Sequence, residues 1–402
     1  MPITRALTLS GSLFSTIDAK TGTTYTFVLN DGNNELITAS NASAQTYSIP
    51  TNASVAFPIG TQINIIQIGA GQVTINAVTS ATTTVLSTGA TAAAPKLRVQ
   101  YSAATCIKVA NPATLPTGDA VSFKPQGDAV AVSGGGTSPY VYAYPWSITG
   151  FGTKYANPST LPASGSRGVR FRPQGDALVV ASYNSTFISA YPWSSGFGTK
   201  YSNPATLPTG GPYGVNFSGT GNDIAFADQA TPFVLAYPWS SGFGTKYANP
   251  ATLPAGVGNQ VAFTKSGSDI AVAHNTSPRI SAYPWSSGFG TKYANPATLP
   301  TGNGYGVAFT PQNNAIAVSH STSPFITTYP WSSGFGTKYA DPATLPTGDG
   351  NEVAFTRLGD AIAVAHYTSP YISAYPWSAG FGTKYADPAT LPTGTARGVD
   401  FV

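Results

Sequence analysis

Apolar residues in this chain fall into runs of 3 to 7, closed off by glycine, proline and small polar residues. Val353-Ala354-Phe355 is one such run, and a Gly359-Asp360 turn leads from it into the unbroken stretch Ala361-Ile362-Ala363-Val364-Ala365. Thr368-Ser369-Pro370 marks the next turn, followed by Tyr371-Ile372-Ser373-Ala374-Tyr375. Gly380-Phe381-Gly382 then leads into Thr383-Lys384-Tyr385. Runs this short, punctuated in this way, read as four β-strands joined by tight turns. No 3.6-residue periodicity links them, which excludes an α-solenoid.

The same unit returns along the chain. Asn or Asp before proline recurs at Asn111, Asn157, Asn203, Asn249, Asn295, Asp341 and Asp387, a constant step of 46. Tyr-Pro-Trp ends at Trp146, Trp193, Trp239, Trp285, Trp331 and Trp377, which are all the tryptophans. Four strands in a unit of this length, repeated six or seven times, build radial blades around a channel. A string of separate sandwiches would need about 100 residues per domain, and a β-helix would need shorter coils. The expected fold is therefore all-β. A small sandwich or barrel covers 1–110, and a β-propeller of six 46-residue repeats with a C-terminal closing strand covers 111–402.

The count of blades has two readings. Val-x-Phe occurs a seventh time at Val399-Asp400-Phe401, and Ile107-Lys108-Val109 precedes the first unit. Either the last strand completes a blade of a six-bladed ring, which is the favoured reading, or Pro95 to Ala110 and the C-terminus form a composite seventh blade. The repeats are nearly identical in places, as in Ser194 to Tyr201 beside Ser240 to Tyr247. Such units can pair out of register during folding, and sealing both ends helps select the right count.

Composition narrows the partners. Only 8% of the 402 residues are charged, against roughly 25% in an ordinary soluble domain, so the surface must be polar without charge. That suits a particle surface or an extracellular setting. The 43 glycines and 33 prolines mark turns, because 42% hydrophobic and 12% aromatic residues are enough to form a core. A net charge of +4 without a basic run makes nucleic acid a poor partner. Cys106, the single cysteine, allows neither an internal disulfide nor a multi-cysteine metal site, and reads as a strand thiol. The first residues lack the apolar core of a signal peptide, and no run reaches membrane-span length. Release by lysis is expected for a protein acting outside the cell.

Residues 1–110 carry no copy of the repeat. Thr24 to Leu29, Asn34 to Thr38, Thr46 to Pro50, Ser54 to Phe57, Gln62 to Ile68, Gln72 to Val78, Thr82 to Leu86, Lys96 to Tyr101 and Thr105 to Val109 read as strands. Asp31-Gly32 and Gly69-Ala70-Gly71 read as tight turns. Several ordered motifs lie in this stretch: Asn41-Ala42-Ser43 with Ile49-Pro50, Ser54 to Ile63, Gly69 to Ile75, and Gln100 to Thr105. Over residues 23–110 the chain resembles a β-module that recurs in phage tail-fibre, head-fibre and related virion proteins. The resemblance implies a virion component and supplies no catalytic residues. It departs where the module's Trp-containing last strand should come, because Asn111-Pro112 begins the repeats. The repeats themselves resemble Trp-Asp-repeat propellers in unit length and strand count only, since the Gly-His and Trp-Asp dipeptides are missing.

Candidate sites arise from the periodic residues. His274, His320 and His366 end the second strand of three units, where other units carry Gly134, Ser182 and Asp228. Blades rotated about 60° apart keep such residues from sharing one ion unless they line the channel, so a structural or exposed role is expected. Lys154, Lys200, Lys246, Lys292, Lys338 and Lys384 form a ring. It could attract anionic glycans or a charged particle surface, or more simply guard an edge strand against pairing. Trp146 and its equivalents are expected to wedge between blades rather than to stack on sugars. Asp128, Asp176, Asp223, Asp269 and Asp360 are expected to stabilise turns. No catalytic, cofactor-binding or metal-binding residues stand out, and the uniform blades argue against an enzyme.

The expected function is that of a bacteriophage structural protein, a fibre, spike, or capsid or tail decoration. Its first domain would dock on other virion proteins while the propeller loops, rich in Tyr, Asn, Ser and Gly, bind a host-surface glycan or protein. Fibres of this kind often form trimers. Two other classes remain open: a propeller enzyme acting on polysaccharide, which would need carboxylates clustered at the channel mouth, and a bacterial lectin-like surface protein, which would need an export signal.

Overall fold

The computed structural model describes residues 16–32, 35–57, 63–67, 72–78, 109–116, 118–147, 150–184 and 186–401. The chain divides into two compact units, Met1–Ala104 and Thr105–Val402. No described helix is long and apolar enough to cross a membrane.

Among the described residues, the first unit holds two three-stranded sheets. One is ordered β1 (Thr16–Lys20), β3 (Glu35–Ala39), β5 (Asn64–Gln67). The other is ordered β2 (Thr24–Thr26), β4 (Gln45–Ile49), β6 (Val73–Ala77). Ile37, Ala39 and Ile65 of one sheet and Tyr25, Tyr47, Ile49, Val73 and Ile75 of the other enclose a common core. This is the expected sandwich, built with different wiring. All pairings are parallel and the chain alternates between sheets at each strand, so every connection is a crossover and none is a hairpin.

Asp31-Gly32 accordingly sits in a 3-10 turn, Leu29–Gly32, between strands of different sheets. The buried Asp31 carboxylate accepts from Tyr25 Oη at 2.9 Å and from the Val28 N–H at 2.7 Å, which locks that turn. Ser54 to Phe57 is not a strand. Pro50 and Pro58 bracket it, and Ser54 and Val55 both donate to the Thr51 carbonyl in a turn. The strands expected at Thr82 to Leu86 and Lys96 to Tyr101, nearly all of Thr105 to Val109, the Gly69 to Gly71 turn and Cys106 lie outside the described residues.

The second unit contains six sheets. The first is β7 (Gly118–Phe123), β8 (Ala129–Gly134), β9 (Val141–Ser147) and β10 (Gly150–Phe151). The second is β11 (Ser166–Phe171), β12 (Ala177–Ser182) and β13 (Ile188–Pro192), and the third is β14 (Val215–Phe217), β15 (Asp223–Ala227) and β16 (Val234–Pro238). The fourth is β17 (Gly258–Phe263), β18 (Asp269–His274) and β19 (Ile280–Pro284), and the fifth is β20 (Gly304–Phe309), β21 (Ala315–His320) and β22 (Ile326–Pro330). The sixth is β23 (Gly350–Phe355), β24 (Ala361–His366) and β25 (Ile372–Pro376). The expected fourth strand is reduced in all but the first. In the second blade it meets β13 at a Trp193–Phe197 bridge, then through Gly198 N–H to the Pro192 carbonyl and Tyr201 N–H to the Ala190 carbonyl, both 2.8 Å.

Packing explains the sequence pattern. Ala177, Val179 and Ala181 of β12 pack on the third blade, while Leu178 and Val180 pack on the first. A strand buried on both faces reads as a continuous apolar run. Each interface sets a small-residue face against a large one, with Ala177, Ala181 and Ala190 against Phe217, Phe226 and Trp239 in one case. The tryptophans fill these joints as expected. Trp193 meets Phe171, Phe197 and, from the preceding blade, Tyr155, all edge-on with centroids 5.0, 5.1 and 5.2 Å away.

The C-terminal segment expected to be a closing strand forms no strand among the described residues; Val399 to Phe401 instead occupies a seventh inner station, because β7 already fills the inner position of the first blade. Three contacts place it between β23 and β7. Asn351 Nδ2 donates to the Ala396 carbonyl at 2.7 Å, as Asn259 Nδ2 does to Gly304 between the fourth and fifth blades. Asp400 accepts from the Phe123 N–H at 2.9 Å, as Ser122 does from the Phe171 N–H at 3.1 Å. A Cβ on Gly398 would stand only 3.1 Å from Ala120 Cα. At the rim, Val109 packs on Gly150 where Tyr155 packs on Gly196 one blade later. The ring thus has six blades and a thinner seventh station, to which both ends of the unit contribute. Pro95 to Lys108 of the composite alternative lie outside the described residues.

Candidate binding site at one mouth of the channel

Five of the inner strands begin with a β-bulge, at Gly118/Val121, Ser166/Gly168, Gly258/Gln260, Gly304/Gly306 and Gly350/Glu352. A bulge leaves an extra residue unpaired and re-aims its side chain. The residue two places before the inner-strand valine of each station is Asp119, Arg167, Tyr213, Asn259, Tyr305, Asn351 or Arg397. Bulges carry five of these, and all seven line a single hollow of about 310 Å³ at one end of the channel. Two positions in the same segment do not change: valine follows two residues later, and phenylalanine four residues later, in every station. The phenylalanines line the opposite end, around a hollow of about 360 Å³. The ring is therefore uniform where it packs and varied at one mouth.

Contacts at the mouth are specific. The Arg167 guanidinium lies between the rings of Tyr183 and Tyr213, 3.9 and 3.8 Å from their centroids. Its Nη1 has no acceptor in the protein and is closed off from solvent. Asp119 is shared by Arg397 Nη1 at 3.3 Å and Tyr183 Oη at 3.3 Å. Tyr367 stands 43% exposed at the rim. Beside the mouth, a glycine-lined groove of about 600 Å³ runs past Arg167 between Gly135, Gly165, Gly210 and Gly211.

Below the mouth, most stations have glycine or alanine after the varied residue, but two have longer side chains. Gln260 Nε2 donates to Glu352 Oε1 at 3.1 Å across the channel, and the Val399 N–H donates to Glu352 Oε2 at 3.2 Å. Burial pushes the Glu352 carboxyl up to about 7, and Arg170 opposes the shift. Deeper still, Arg170 pairs with Asp400 at 3.5 Å and donates to Asn216 Oδ1 at 3.3 Å.

The periodic residues lie elsewhere. His274, His320 and His366 are fully buried, and each Nε2 meets a hydroxyl, Ser281 at 3.0 Å, Thr327 at 2.9 Å and Ser373 at 3.0 Å. Burial lowers His274 and His320 to about 4 and lowers His366 as well. Their role is structural. No cluster of three or more His, Cys, Asp or Glu suited to a metal occurs among the described residues. The six lysines share one contact. Each clamps the Asn or Asp three residues on, as Lys154 does with Asn157 and Lys338 with Asp341, both at 2.5 Å. The repeated lysine and the Asn/Asp-Pro marker thus belong to one turn.

The aspartates divide. Asp128, Asp176 and Asp360, directly after glycine, bond Lys124, Arg172 and Thr356 within the turn, as expected. Asp223 and Asp269, one residue later, are buried and link blades. Asp223 accepts from Tyr247 Oη at 2.7 Å and Trp285 Nε1 at 3.2 Å. The tyrosine of Tyr-Pro-Trp is a further anchor: Tyr191 Oη donates to the Thr160 carbonyl at 2.8 Å, and burial raises it to about 12.

Three of the seven, Arg167, Tyr213 and Tyr305, end stretches in which the units differ, Ser164 to Arg167, Gly210 to Tyr213 and Gly302 to Tyr305. Stacking the repeats on their phenylalanines would have shown Asp119, Asn259, Asn351 and Arg397 in the same column.

The geometry defines a β-propeller protein. No protein-family model and no curated protein matches the chain. Among solved structures it is similar to the Cps50 (Swd1) β-propeller domain of Myceliophteria thermophila. Identity is 14%, the match covers 70% of this chain and 90% of that one, and the TM-score is 0.52. A likeness at that identity concerns the fold alone.

Proposed function

We propose that this chain is a non-enzymatic structural protein of a bacteriophage particle, a fibre, spike or decoration that displays its propeller for recognition of a host-surface glycan. The observation that carries the recognition role is the mouth, where one residue per station varies among Tyr, Asn, Arg and Asp while the valine and phenylalanine of the same segment stay fixed. Tyrosine and asparagine on a rigid scaffold provide amphipathic contact area and hydrogen bonding at low entropic cost. The virion assignment draws on the resemblance of residues 23–110 to fibre-type β-modules, and docking through that unit follows from it. Carboxylates at the mouth are engaged structurally, Asp119 by Arg397 and Tyr183, and Glu352 by Gln260 and Val399. That favours binding over hydrolysis.

A glycan array of bacterial surface oligosaccharides, probed with the full chain, tests recognition, and cryo-electron microscopy of the particle tests placement. Binding to a restricted set of glycans, with propeller density on the particle surface, is expected. Turnover of a bound polysaccharide, or no binding to glycans or bacterial envelopes, would overturn the reading.

A further inference from the structure

Resting on that reading, the mouth also discriminates by charge. Arg167 carries the argument. Its guanidinium is fixed by two tyrosine faces, so little side-chain freedom is left to lose when a ligand arrives. It makes no ion pair or hydrogen bond to a carboxylate among the described residues, whereas Arg397 pairs with Asp119, and Arg170 with Asp400. Arg167 also lines both the hollow at the mouth and the adjoining groove. A positive charge held in place at the junction of two polar hollows, with no anion of its own, is a receptor for one.

The surroundings indicate what carries that anion. Of the residues lining the mouth, only Ala120 is aliphatic. A peptide partner would need apolar pockets for anchoring side chains, and the mouth offers none. Tyr305 and Tyr367 instead bring aromatic rings to the mouth, the side chains that pack on the C–H face of a sugar, and Asn259 and Asn351 line it with them. Four of the ten residues lining the groove are glycines, so the groove beside Arg167 has few side chains to obstruct a chain running outward from the mouth. We propose that the mouth and groove bind an acidic oligosaccharide, with a sugar carboxylate set against the Arg167 guanidinium and an adjacent ring lying on Tyr305 and Tyr367.

The test is calorimetry on the full chain with uronic-acid and sialic-acid oligosaccharides, their carboxyl-reduced counterparts, and an oligoglutamate peptide. The wild type should bind at least one acidic sugar about tenfold or more tighter than its reduced form, the scale of one charge-assisted pair. Arg167→Gln should remove that preference, bringing the affinities for the acidic and reduced forms together. The comparison within the wild type stands even if the variant folds poorly. Equal binding of acidic and reduced sugars would overturn the charge assignment and leave glycan recognition in place. Tight binding of the peptide without binding of any sugar would overturn it in favour of an acidic protein partner. Absence of all binding would sink the recognition reading itself.

Discussion

His274 and His320 are held neutral by burial at pKa values of about 4, whereas an unfolded histidine titrates near 6.5. Between those values the unfolded chain binds more protons, so stability falls as the pH drops from 6.5 through 4. His366 adds loss in the same direction. Glu352 has the opposite sign. It is held up to about 7 against an ordinary 4.5, so the folded state binds the extra proton and stability falls as pH rises through that window. The groups facing it are Gln260, the Val399 N–H and Arg170, which favour the carboxylate, and Asp400, which opposes it. Glu352→Gln should therefore be more stable than the wild type in urea titrations at pH 8, with the gain shrinking toward pH 4.5. An equal gain at every pH would contradict this assignment.

At the scale of elements, the closing segment makes a definite prediction. Val399 is 9% exposed and packs on Ala363 and Ala365. Val399→Asp should cost about 3 kcal/mol, as an unpaired charge buried in a joint does. Leu358→Asp, at a residue 75% exposed, should change stability by no more than about 0.5 kcal/mol. Chemical denaturation of both variants checks this, and equal small effects would mean that Val399 does not seal the ring.

The elements also show what pattern can and cannot reveal. Continuous apolar runs such as Ala361 to Ala365 announced strands buried on both faces, and the step of 46 announced the blades. In the first unit, short runs between turn residues marked Thr46 to Pro50 and Gln72 to Val78 as strands, which the structure places at Gln45–Ile49 and Val73–Ala77. Such runs identify a strand and not its pairing partner, so parallel crossovers between two sheets could not be told from hairpins. The mouth was hidden for a different reason. Its residues are polar, lie at the ends of loops and share no motif, and only their common register makes them a set.

For the whole molecule, repetition and recognition are in tension. Near-identical units build near-identical surfaces, and a ring of equal blades offers no distinctive patch along its outer wall. The bulged starts of the inner strands escape this, because their side chains leave the packed joints and meet near the axis. Seven small differences from seven stations are thereby gathered into one hollow, while the seven phenylalanines at the opposite end stay constant. Specificity can then change without disturbing any joint between blades.

The most direct test compares the two ends of the channel by flow cytometry of labelled full chain on bacterial cells. One variant combines Tyr213→Ala, Tyr305→Ala and Asn351→Ala at the varied mouth, and the other combines Lys265→Ala and Arg357→Ala at the opposite end. Adhesion should fall at least about tenfold in the first, as expected when central aromatic contacts are lost, and stay near wild type in the second. Loss confined to the second variant, or adhesion indifferent to both, would contradict the assignment of recognition to the varied mouth.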